Sequence, residues 1–209
     1  PAYLRINDVY TSFYQEDLLT IRLATEKGIR FAGIFLPKVE SAEQAKKVDE
    51  DLDYLSINSA LVLMIETVKG VVNLDELLDW SLNADREVKI HYGHFDYFYD
   101  SREWPFPTIY EKRYWDIVEK IVSPVESAGL EYIHAPPGDL YNKKALSQIA
   151  SMIRAIAPRL NFSISVLNYD LAICEMKDEE PLLLKTNTFS QQVKIKLAED
   201  TIAAFESGQ

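Results

Sequence analysis

ALVLMIETVKGVVNLDELLDWSLN, residues 60–83, carries two periodicities in one stretch. Leu61, Val62, Leu63, Met64 and Ile65 form a short, continuously apolar run, the pattern of a strand buried on both faces. Leu74, Leu77, Leu78 and Leu82 then fall at i, i+3, i+4 and i+8, one face of an amphipathic helix. A buried strand leading into such a helix is a βα unit. At the junction stands Glu66, a carboxylate directly after five apolar residues. Either the strand has simply reached the surface there, or the acid is placed for chemistry.

Working outward, the same alternation recurs. Strand-like runs lie at YLRIN (3–7), AGIFLPK (32–38), VKIHYGHFD (88–96), EYIHAPP (131–137) and FSISVLN (162–168). Helical spacing joins Tyr114, Ile117, Val118, Ile121, Val122 and Val125, with Pro124 expected to kink or break that helix. Leu146, Ile149, Ala150, Ile153 and Ala157 form another, and 191–205 the last. DLLTIRLATEKG and SAEQAKKVDEDLDYL fill the remaining gaps. No Gly- or Ser-rich linker and no break in composition interrupts the series, so residues 1–209 read as a single domain.

Six βα repeats predict a parallel sheet covered by helices, either a doubly wound open sheet or part of a (β/α)8 TIM barrel. No GxGxxG or Walker A loop follows the first strand, which removes the main support for a nucleotide-binding open sheet. Both architectures stand on this pattern alone. Six units are two short of closure, and with Pro1 in first place the chain reads as the trimmed remainder of something longer.

Composition narrows the partners. With 33 acidic and 22 basic side chains the formal charge is -11, a field that opposes nucleic acid and anionic membranes. No apolar stretch reaches the roughly 20 residues that span a bilayer, and PAYLRINDVY lacks the features of an export signal. The lone Cys174 can form neither an internal disulfide nor a thiolate zinc cluster. A soluble cytoplasmic protein is expected, with neither nucleic acid nor membrane as partner.

In both candidate architectures ligands bind at the carboxyl ends of the strands. Polar residues expected there are Arg5, Asn7, Lys38, Glu66, Thr67, His94, Asp96, His134 and Asn168. Glu66 and Asp96 would rise from neighbouring strands, and two carboxylates completed by waters and a chelating substrate suit Mg2+ or Mn2+. Arg5 offers a two-pronged donor for a carboxylate or carbonyl.

YLRIN, FLPKVESAEQ, LVLMIETVKGVVNLDEL, YGHFDYFYD and VSPVESAGLEYIH together resemble, in order and spacing, the HpcH/HpaI aldolase and citrate lyase beta-subunit family, over roughly residues 3–134. The resemblance implies a TIM barrel, a divalent metal, usually Mg2+, on Glu66 and Asp96, and a substrate-polarising arginine at Arg5. It implies carbon–carbon bond cleavage or formation through a stabilised enolate, on a 2-keto acid or an acyl-CoA thioester. Lys38 and Thr67 would join Arg5 in binding substrate, His94 is the candidate base, and a homo-oligomer is expected. Three features depart from the family pattern: the first βα units and their acidic motif are missing, the region after His134 differs, and the aromatic segment HFDYFYDSREWPFPTIY is not the usual continuation.

Plainer readings stand beside these. Arg5 could form a salt bridge inside the barrel, even with Glu66; Asp96 could serve a turn or helix cap; Asn73 could cap the helix beginning at Leu74. His134 reads as a hydrogen-bonded structural group. A non-catalytic barrel subunit that keeps the fold is the alternative to the enzyme.

Overall fold

In a computed structural model of the chain, residues 2–138, 142–167 and 172 are described. Asn168, Cys174 and the expected helix at 191–205 lie outside them. β1 (Ala2–Arg5), α1 (Tyr14–Glu26), β2 (Phe31–Leu36) and α2 (Ala42–Tyr54) come first. β3 (Ala60–Ile65), α3 (Val68–Val72) and α4 (Leu74–Asn83) follow, then β4 (Val88–Tyr92), α5 (His94–Asp100) and α6 (Lys112–Ala128). β5 (Glu131–His134), α7 (Lys143–Ile156) and β6 (Phe162–Ile164) complete the described elements.

The six strands form one sheet in the order of the sequence, and every neighbouring pair is parallel. Right-handed crossovers that always step in the same direction place all the helices on one face. That is the winding of a β/α barrel; a doubly wound sheet must reverse direction. The open-sheet alternative is thereby excluded. Six strands make an arc of such a barrel, and a closed ring of eight is not seen among the described residues.

Strand alternation divides the core. Leu61, Leu63 and Ile65 of β3 and Val88, Ile90 and Tyr92 of β4 join the cluster shared with the helices. Val62, Met64, Lys89 and His91 therefore occupy the inner face, where Tyr3 and Phe35 also meet, ring centroids 5.7 Å apart. On the helix side, α6 buries Tyr114, Ile117, Val118, Ile121, Val122 and Val125. It runs unbroken through Pro124, against the expected break, and stops at Gly129, whose φ of +70° suits glycine. A lost backbone bond at one proline does not outweigh an apolar face of that length.

Two devices fix the loops. Ser41 and Gln44 make a reciprocal capping box at the start of α2, Ser41 Oγ accepting from Gln44 N and Gln44 Oε1 accepting from Ser41 N. Arg86, buried just before β4, donates to the carbonyls of Ile57 and Ser59 at 2.7 and 2.9 Å and pairs with Asp49 and Asp53 of α2. Removing it leaves two carbonyls and two carboxylates without their donor. Arg86→Ala is expected to cost about 3 kcal/mol in urea unfolding, whereas Lys46→Ala, which loses only an exposed pair with Glu50, should cost less than about 0.5 kcal/mol.

Candidate active site

Glu66 follows β3 and is 1% exposed. Its Oε1 accepts the backbone N–H of Lys38 at 3.0 Å, and Arg5 Nη2 lies 3.7 Å from the same oxygen. Lys38 adopts a left-handed φ of +50°, a conformation that costs a non-glycine residue about 1 kcal/mol or more. Gly93, opposite, supplies the space: a Cβ there would stand 2.6 Å from Glu66 Oε2. The carboxylate is thus seated by a donor on one side and by a missing methyl group on the other.

Asp96 is not at the end of a strand as expected. β4 ends at Tyr92, Gly93 turns the chain, and Asp96 occupies the first turn of α5 without capping it. It remains at the carboxyl end of the sheet, half exposed, with Lys38 Nζ 3.8 Å from its Oδ1. Two carboxylates and two cations so alternate around one spot. Loss of water pushes the Glu66 carboxyl up to about 7, the charge of Asp96 adds to the shift, and Arg5 and Lys38 only partly oppose it. Beside Arg5 and Lys38 opens a cleft of about 310 Å³, lined also by Ile6, Asn7, Asp8, Thr11 and Pro37.

The other expected site residues divide. Thr67 is buried and caps α3, its Oγ1 accepting from Gly70 N at 3.0 Å, a bond that leaves its hydroxyl hydrogen unused. His94, the candidate base, is 2% exposed and packed against Phe95, Tyr92 and Tyr114. Burial drives its pKa down to about 3, with a smaller push from His91, so it stays neutral and sealed from solvent. His134 is the structural group expected: Tyr114 and Tyr132 hydroxyls take its two ring nitrogens at 2.6 and 2.8 Å. Asn73 caps nothing with its side chain; its Nδ2 donates to the Glu40 carbonyl.

The donor set suits a hard cation. Oxygen ligands from two carboxylates, one of them costly to keep charged, fit Mg2+ or Mn2+ with water and substrate filling the remaining positions. Among the described residues no cluster of three or more His, Cys, Asp or Glu could bind a metal without such help, and no helix is long and apolar enough to cross a membrane.

The sequence profile of the HpcH/HpaI aldolase/citrate lyase family matches residues 1–161. The chain belongs to this family. No curated protein matches it. Among solved structures it is similar to RipC from Yersinia pestis, with a TM-score of 0.66 at 19% identity over 82% of this chain and 74% of that one. A citrate lyase from Burkholderia xenovorans superposes with a TM-score of 0.64 at 15% identity, over 98% of this chain but only 63% of the other. CitE from Mycobacterium tuberculosis, in complex with magnesium and pyruvate, gives 0.60 at 17% identity, covering 96% and 74%. The chain spans between 63% and 74% of the length of these relatives. At such identities the likeness establishes the fold.

Glu66 makes a prediction about stability. Its pKa is about 7 folded against 4.5 for the ordinary group, so between those values the unfolded chain gives up the proton first. Stability therefore declines as pH rises through this window, and above it the buried charge opposes folding by roughly 3 kcal/mol. Glu66→Gln, which keeps an oxygen for the Lys38 N–H, is expected to unfold like wild type at pH 4.5. Above pH 7 it should be the more stable of the two by denaturant titration without divalent metal.

Proposed function

We propose that this chain is a divalent-metal-dependent carbon–carbon lyase or aldolase acting on a 2-keto acid or an acyl-CoA thioester. The observation that carries the reading is Glu66, a buried carboxylate at the carboxyl end of a barrel-type sheet, facing Arg5 and sharing its field with Asp96. A carboxylate that is this expensive to ionise without a partner is suited to a cation. CitE's complex with magnesium and pyruvate supports the same assignment of metal and substrate class.

Glu66 and Asp96 would hold Mg2+ or Mn2+, which when bound supplies Lewis-acid polarisation of a carbonyl oxygen. Arg5 donates its fork of N–H groups to the oxygen on which enolate charge develops, an interaction stronger in the transition state than in the substrate. Lys38, loosely paired with Asp96 at 3.8 Å, lines the same cleft and would hold a carboxylate of the substrate there. His94 is given no role in proton transfer in this reading, since its ring is packed among Tyr92, Phe95 and Tyr114 and is 2% exposed. A homo-oligomer in the cytoplasm accompanies this reading.

The second reading, a non-catalytic subunit, draws on the cation that each carboxylate already has at 3.7 to 3.8 Å, an arrangement that can persist without metal. Isothermal titration with Mg2+, with and without oxalate as a mimic of the pyruvate enolate, separates the two. The enzyme requires mutually reinforced binding that Glu66→Gln and Asp96→Asn weaken; no binding of either ligand would overturn it. Once a substrate turns over, Arg5→Lys should lower kcat about 100-fold.

A further inference from the structure

We propose that His91 is a second hydrogen-bond donor to the substrate oxyanion, acting beside Arg5 from the inner face of the sheet. The inference rests on the site reading above and adds to it a residue of β4.

His91 lies opposite Met64 in the β3–β4 register and two positions before Gly93, so its side chain shares the inner face with the space that Gly93 leaves for Glu66. Ile90 and Tyr92, its neighbours, belong to the helix-side cluster, so strand alternation turns His91 to the opposite face. Phe35 fixes the ring edge-on from β2, centroids 5.5 Å apart and planes at 83°. The residue is 6% exposed, and its Nδ1 is buried with no hydrogen-bond partner among the described residues. Such groups are rare in folded proteins because each costs the lost hydration of a polar atom.

The other two histidines show the contrast. His134, equally buried, has a tyrosine hydroxyl on each nitrogen. His94 also has an unpartnered Nδ1, but it stands against Tyr92 and Tyr114, which are core residues on the helix side. Of the three, only His91 presents an unpaired ring nitrogen, Nδ1, on the inner face, where the charge of Arg5 reaches it. Burial and that charge hold it neutral, with a pKa of about 4. A neutral imidazole carries one N–H and one lone pair, and it can polarise a carbonyl without giving up its proton. The hydrogen bond tightens as charge grows on the substrate oxygen, and the proton stays on the ring.

Oxalate titrated into the full chain at saturating Mg2+ tests this. His91→Phe, which keeps the edge contact with Phe35 but has no donor, is expected to weaken oxalate by about tenfold, and His91→Asn to recover part of the loss. Mg2+ affinity without oxalate should be unchanged in both. In 15N-histidine spectra of wild type, the His91 imidazole should shift on adding oxalate with Mg2+ while that of His134 does not. Wild-type oxalate affinity in His91→Phe, or a His91 resonance that ignores oxalate, overturns the proposal. If Glu66→Gln binds Mg2+ like wild type, the site reading itself fails, and the inference goes with it.

Discussion

A carboxylate removed from water at the end of an apolar strand sets the terms for everything around it. Glu66 is kept there by the Lys38 N–H and by the lack of a side chain at Gly93. The first requires the β2–α2 loop to pass through a left-handed residue; the second requires glycine where β4 turns into α5. Three consecutive strands are thereby tied to one oxygen pair. Site precision of this kind comes from rigid elements with short exits, and the parallel order of the sheet supplies both.

The electrostatics follow from the same burial. Arg5 and Lys38 are about half exposed and contribute their charge through solvent, which weakens it. They do not bring Glu66 back to the ordinary carboxylate range. The protein holds an imbalance at this point that either a proton or a cation at close range corrects, a common form of trade between stability and function.

Much of this was legible in the sequence, and where it was not, the reason is local. The apolar run 61–65 and the leucine spacing after it fixed strand and helix because both patterns are strong and the elements long enough to show them. Asp96 was placed one element early because aromatic residues suit strands and helices alike. The burial of His94, Tyr97 and Phe98 at i, i+3 and i+4 was the helical signal in HFDYFY. The cap that Thr67 gives α3 has no sequence signal of its own, since threonine suits a cap and a ligand contact alike. The pairing of His134 with Tyr114 joins residues of different elements and no spacing rule reveals it. Alternation along VKIHYG assigns His91 and Gly93 to the same face, but the closeness of Gly93 to Glu66 joins different strands and no spacing rule reveals it.

One consequence of the topology concerns how such a site can be inherited. Arg5, Lys38, Glu66, His91 and Asp96 all come from β1 to β4 and the turns that leave them, neighbours along the chain as well as in the sheet. Among the described residues, none of these five lies beyond α5. A recombination event that exchanged everything beyond α6 would leave these five residues and their spacing unchanged.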